Sequence, residues 1–321
     1  MRRQVVALAA VVAAASVALA AHAGGATHVD VTLDWSPNPD HVGLYEAKQS
    51  GLDARAGLDV SIHAPSDPTA PLKLVGAGRS DLAVSYEQEL FFAAAKKLPV
   101  VAVAAVVPQP LNSFMSIDPK VRSLRDLRGK SVGITGVPSD YATLKTAGLA
   151  GHVKTVTVGY NLLPALLSHR VDAVLGTYRN VEGVQLQLRG LQPTIIPVDH
   201  AGVPTYDELV LVANKAKLAD PAYRSKVRRF VTAFLAGTVQ ARKHPAQALA
   251  VLKKVTASDA TFLARATPLT LRLLAGPNGV GCVRVAQWQR FGDWMAARGL
   301  LAHRIPAAGV VTTRFLPRRC R

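Results

Sequence analysis

Four aromatic residues and one carboxylate stand where this 321-residue chain could do chemistry: Trp35, Tyr86, Tyr178, Tyr206 and Glu182. Each falls at the end of an apolar run or among turn-forming residues. The chemistry they suggest is recognition. A flat ring stacked on an aromatic side chain gains about 0.5–1.5 kcal/mol beyond its burial. A carboxylate at a helix start can accept two hydrogen bonds from an amino-heteroaromatic edge and so reject rings lacking the donors. Plainer readings stand beside these: Tyr178 and Tyr206 as core residues, Glu182 as a complement to a helix dipole. Constellations for bond making do not emerge. There is no G-x-S-x-G elbow, no Walker-type phosphate loop, no H-E-x-x-H and no cysteine beside a base, and the nine histidines are scattered.

The elements that must position these groups follow from the apolar pattern. Val29 to Leu33 reads as a buried strand that stops at Asp34-Trp35. Asn38 is placed as an N-cap, with Pro39 at the first helical position and Asp40 in the first turn. Trp35, Asn38 and His41 thus form the first wall of a pocket. Leu58–Ile62, Asp81–Tyr86 and Pro99–Val107 read as further strands, with helices between them. Pro108-Gln109-Pro110 reads as a crossing, after which Phe114–Ile117, Ser131–Ile134, Val153–Val158 and Asp172–Thr177 repeat the rhythm. The turn Thr135-Gly136-Val137-Pro138-Ser139-Asp140 opens a helix, so its backbone N–H groups could face a ligand, which adds Gly136 and Pro138 to the site. Residues 202–208 read as the return crossing, and the remainder is mostly helical.

Alternating strands and helices predict parallel sheets covered on both faces. The expected architecture is α/β, with two lobes joined by two crossings. Residues 24–109 and 206–321 would form one lobe and residues 110–205 the other. Ligands of such sheets bind outside the carboxyl ends of the strands, here in the cleft between the lobes.

Residues 1–23 read as a cleaved export signal, with Arg2-Arg3, an Ala/Val/Leu run and Ala21-His22-Ala23 as the processing site. No later apolar run is long enough to span a membrane. The chain carries 38 Lys and Arg against 21 Asp and Glu, a formal charge of +17. The basic residues are dispersed and not interleaved with stacking aromatics, which argues against nucleic acid and for a solvated basic surface. Cys282 and Cys320 can form one bridge or remain two free thiols, and no Cys/His spacing suggests a metal site.

The segments Leu33 to Asn38 with His41 and Tyr45, Gly57-Leu58-Asp59-Val60, Pro68 to Leu72, Ser85-Tyr86, Gly133 to Pro138, Val171 to Val174 and Gly202 to Val210 resemble the solute-binding proteins of the thiamine-pyrimidine-precursor family. That family shares its fold with fungal pyrimidine synthases. The resemblance implies a type II periplasmic-binding fold outside the inner membrane, closure on a formylaminopyrimidine or hydroxymethylpyrimidine, and delivery to an ABC permease with its ATPase. It implies no cofactor. The lysine and histidine of the synthases fall on Ser85 and Glu89, and their cysteine-rich iron motif has no counterpart, which favours a binder over an enzyme. A departure lies at Arg179-Asn180-Val181 before Glu182. The alternative ligand is a sulfonate or a flavin precursor, for which Arg179 would be the anion clamp.

Overall fold

The computed structural model describes residues 25–320, so the expected export signal lies outside the described residues. The chain forms β1 (Thr27–Thr32), α1 (Val42–Gln49), α2 (Leu52–Arg55), β2 (Leu58–His63), α3 (Ala70–Gly76), β3 (Leu82–Ser85), α4 (Glu87–Ala95) and β4 (Val100–Val107). It then crosses to β5 (Asn112–Ser116), β6 (Ser131–Ile134), α5 (Pro138–Thr146), β7 (Lys154–Thr157), α6 (Leu162–Leu167), β8 (Ala173–Tyr178), α7 (Glu182–Leu188) and β9 (Thr194–Pro197). A second crossing leads back to β10 (Leu209–Asn214). The helices α8 (Pro221–Lys243), α9 (Pro245–Val255) and α10 (Ala260–Leu273) follow. A two-stranded ribbon (Ala275–Gly276 with Gly279–Val280) then precedes α11 (Val285–Ala297).

Two five-stranded sheets result, in the orders β2-β1-β3-β10-β4 and β7-β6-β8-β5-β9. The alternating pattern predicted parallel pairing, which holds for β1 with β2 and β3 and for β6 with β7 and β8. It fails at one strand in each sheet. β10 runs antiparallel to β3 and β4, and β5 antiparallel to β8 and β9. The reason lies in the crossings: β5 and β10 are the strands that enter a lobe directly from the other one, with no α-helix to turn them round. The two lobes and two crossings, residues 108–111 and 198–208, are those of a type II periplasmic-binding fold.

Every residue of β4 is buried, as its unbroken Val/Ala run requires of a strand covered on both faces. Its outer edge is also occupied. Ala102 N donates to Val310 O at 2.8 Å, Thr312 N to Ala102 O at 2.9 Å and Ala105 N to Gly281 O at 3.0 Å. A disulfide joins Cys282 to Cys320 and so links the two segments that cover this edge. The wall-bearing helix α1 packs on α8 at Gly43 and Gly237. A Cβ on Gly237 would lie 2.5 Å from Gly43 O and 2.6 Å from Ala47 N, so the two helices meet backbone to backbone.

Candidate ligand-binding cleft

The turn after β1 builds the first wall. Asn38 caps the short turn Pro39–His41: its Oδ1 accepts the Asp40 N–H at 2.8 Å, while its own N–H donates to His41 Nδ1 at 3.3 Å. That bond leaves the His41 proton on Nε2, which donates to Asp34 Oδ1 at 2.8 Å. Tyr86 Oη donates to the other Asp34 oxygen at 3.1 Å, and Tyr160 Oη reaches across from the second lobe to Asp34 O at 2.9 Å. Trp35 and Tyr160 meet edge to face with centroids 4.2 Å apart. His41 is fully buried behind this wall, so it orients Asp34 and does not itself face the cleft.

The second lobe contributes the end of β8. Tyr178 N donates to Glu182 Oε2 at 2.8 Å, which fixes that carboxyl at the start of α7. Burial pushes it up to about 7. Asp140 accepts Thr135 Oγ1 at 2.6 Å and Gly136 N at 2.8 Å, and burial raises it to about 6. Ser139 N donates to Glu89 Oε1 of the first lobe at 2.9 Å. Two of the amide groups expected to meet a ligand at this turn, those of Gly136 and Ser139, are therefore already engaged by the protein's own carboxylates.

The crossings supply Glu208. Its Oε2 accepts Leu111 N at 2.6 Å, Asn112 N at 2.7 Å and Tyr206 Oη at 2.9 Å, so one carboxylate pins the second crossing to the end of the first. Burial raises Glu208 to about 7, against the pull of these donors. Tyr206 is 1% exposed and packs on Phe291 at 5.4 Å; it supports Glu208 from the core. Arg179 donates to Pro110 O at 2.7 Å and is likewise tied to a crossing, away from the cavity it was expected to clamp.

These walls line a cavity with about 570 Å³ of space between them, open solvent at its mouth included. The structure brings together Trp35, Asn38, Tyr86, Tyr178 and Glu182 of the residues expected from sequence, and adds Asp34, Gln88, Asn112, Thr135, Asp140 and Glu208. Gly136 and Pro138 line an adjoining chamber of about 1100 Å³, open to solvent, together with Glu89, Phe92, Lys73 and Lys96. His41 and Tyr206 reach neither. No lysine or arginine lines the first cavity, although the chain is strongly basic. Among the described residues no cluster of ligating side chains could hold a metal ion.

The fold and this cleft are those of the two-lobe periplasmic-binding-protein type. Similar solved structures include a ligand-binding component of an ABC-type import system from Staphylococcus aureus (TM-score 0.70, 14% identity, covering 90% of this chain and 97% of that one). Another is an alkanesulfonate-binding protein from Xanthomonas axonopodis pv. citri (TM-score 0.69, 18% identity, 89% and 98%). At these identities the likeness is one of fold alone. The NMT1/THI5-like family model matches residues 38–248, and the chain belongs to that family. A formylaminopyrimidine-binding protein of Halalkalibacterium halodurans is 36% identical over 293 residues, 87% of this chain and 88% of that protein. A 4-amino-5-hydroxymethyl-2-methylpyrimidine phosphate synthase of Legionella pneumophila is 23% identical over 304 residues, 91% and 93%. The relatives thus include both a binding protein and a synthase.

Proposed function

We propose that the protein is an exported solute-binding protein of an ABC importer, that it captures a pyrimidine precursor of thiamine, and that it is not an enzyme. The observation that carries this reading is Glu182, fixed at the start of α7 by the Tyr178 N–H and lining a cavity beside Trp35, Tyr86 and Tyr178. A carboxylate held by one backbone donor retains acceptor capacity for the amino group and ring nitrogen edge of an aminopyrimidine, while the aromatic rings offer stacking faces. The relative named for formylaminopyrimidine binding supports the ligand class. The positions aligned with the synthases' lysine and histidine are a buried serine at the end of β3, Ser85, and Glu89, neither able to play the part of an amine or an imidazole. A sulfonate ligand is disfavoured by a cavity lined with four carboxyl groups, Asp34, Asp140, Glu182 and Glu208, and by no cation.

The test is thermal unfolding of the protein with formylaminomethyl-pyrimidine, hydroxymethyl-pyrimidine, thiamine, riboflavin and an alkanesulfonate. A ligand at 100 times its Kd stabilises by about 2.7 kcal/mol, a readily measured rise in Tm. The expected result is a rise with the two pyrimidines alone. A rise only with the sulfonate or the flavin would overturn the reading.

A further inference from the structure

The adjoining chamber has a feature that pyrimidine recognition does not use. It lies at the N-terminal end of α5, where Val137 provides no side-chain cap and the helix starts Pro138-Ser139. Free N–H groups at such a terminus attract anions. Lys73 and Lys96 stand on the chamber's other side, both exposed. Amides and two cations would together make a seat for a phosphate or a sulfonate attached to whatever occupies the neighbouring cavity. The seat is taken by the protein itself. Glu89, 8% exposed, extends from α4 across the cleft to accept the Ser139 N–H, and Asp140 accepts the Gly136 N–H.

We infer that Glu89 is a specificity-determining residue that closes this chamber to anionic groups, so that the cleft selects unphosphorylated and unsulfonated ligands. The inference rests on the cleft being the ligand site and narrows the class of molecule it takes. The physical argument is one of like charges. A phosphoryl oxygen at the Ser139 amide would have to displace a carboxyl group that is already hydrogen-bonded and then, wherever Glu89 is ionised, lie beside a like charge, which weakens its binding. A neutral alcohol or formamide in the neighbouring cavity meets no such charge.

The deciding experiment compares the wild type with Glu89→Gln and Glu89→Ala. Binding of the hydroxymethyl-aminopyrimidine, its phosphate ester, and inorganic phosphate as a probe without a ring is followed by calorimetry. The wild type is expected to prefer the alcohol over the ester by about tenfold or more. Both variants should bind the ester about tenfold more tightly than the wild type while keeping affinity for the alcohol within about threefold, with alanine gaining more because it also frees the Ser139 N–H. A wild type that binds ester and alcohol equally would overturn the inference. So would variants that lose affinity for both in the same ratio, as a purely structural clasp would. If the wild type binds neither pyrimidine, the proposed function fails while inorganic phosphate still decides this point: new phosphate binding in the folded variants supports the exclusion role, and none in any of the three refutes it. Circular dichroism checks that both variants are folded.

Discussion

Glu182 and Glu208 are two carboxyl groups raised to about 7 by burial, yet they sit on different kinds of partner. Glu182 lines the cavity and its carboxyl accepts a hydrogen bond from Tyr178 N. Replacing it by glutamine turns a charge-assisted acceptor into a neutral one, and the pyrimidine affinity should fall by about 1.5–3 kcal/mol, roughly tenfold to a hundredfold, with little change in Tm. Unchanged affinity in calorimetry would remove its role. Glu208 is different: two backbone N–H groups, that of Leu111 buried and that of Asn112 partly so, and the Tyr206 hydroxyl depend on it. Glu208→Ala should cost about 2–4 kcal/mol of stability in urea unfolding, because the orphaned amides have no other acceptor. Sequence reasoning singled out Glu182 because it follows a strand end, where α/β sheets present ligand groups. It chose Tyr206 over Glu208 because an aromatic in a crossing resembles a stacking face. The ring points into the core instead, and the carboxylate two residues on lines the cavity. His41 misleads in a similar way, since a histidine near a cleft looks like a contact when it only orients Asp34.

At the scale of elements, the strands and long helices were legible because buried strands are continuous apolar runs and helices α8 to α11 carry a repeating apolar face. Strand direction was not. Nothing local in Leu209-Val210-Leu211-Val212 states that this run will lie antiparallel between β3 and β4; the path of the chain through the crossings decides it. Nor was the backbone contact of α1 with α8 legible, because Gly43 and Gly237 are nearly two hundred residues apart and each alone looks like an unremarked helical glycine. That contact sets the position of the wall carrying Asn38 and Trp35. Gly237→Ala should therefore cost about 1–3 kcal/mol or more in thermal unfolding and weaken ligand binding as well, since the helices must separate. An alanine variant as stable as the wild type would show that the interface can slide.

For the molecule as a whole, buried acids dominate the response to pH. Asp40, Asp140 and Asp207 are raised to about 6, and Glu89, Glu182 and Glu208 to about 7, all chiefly by burial. In the unfolded chain such groups titrate near 4. Between about pH 4 and pH 7 the folded state therefore binds more protons than the unfolded one, and stability falls as pH rises through that window. The Tm without ligand should be higher at pH 5.5 than at pH 7.5, and Glu208→Gln should flatten the slope. A profile rising toward pH 7.5 would contradict the burial of these groups. The acids Asp67, Asp118, Asp126, Asp172, Asp259 and Asp293 are held low by hydrogen bonds and add the opposite trend only at more acidic pH. Hydrogen bonds from Tyr160 to Asp34 and from Asn180 to Asp40 join the lobes, the latter bond 2.7 Å long. The covered edge of β4 bears on a different property, colloidal behaviour. A bare edge of Val100–Val107, eight apolar residues with no proline or charge, is a template for another chain to add to. Two tail segments fill that edge, and one disulfide fastens them to each other. In a reducing medium the first symptom should thus be self-association, seen by light scattering.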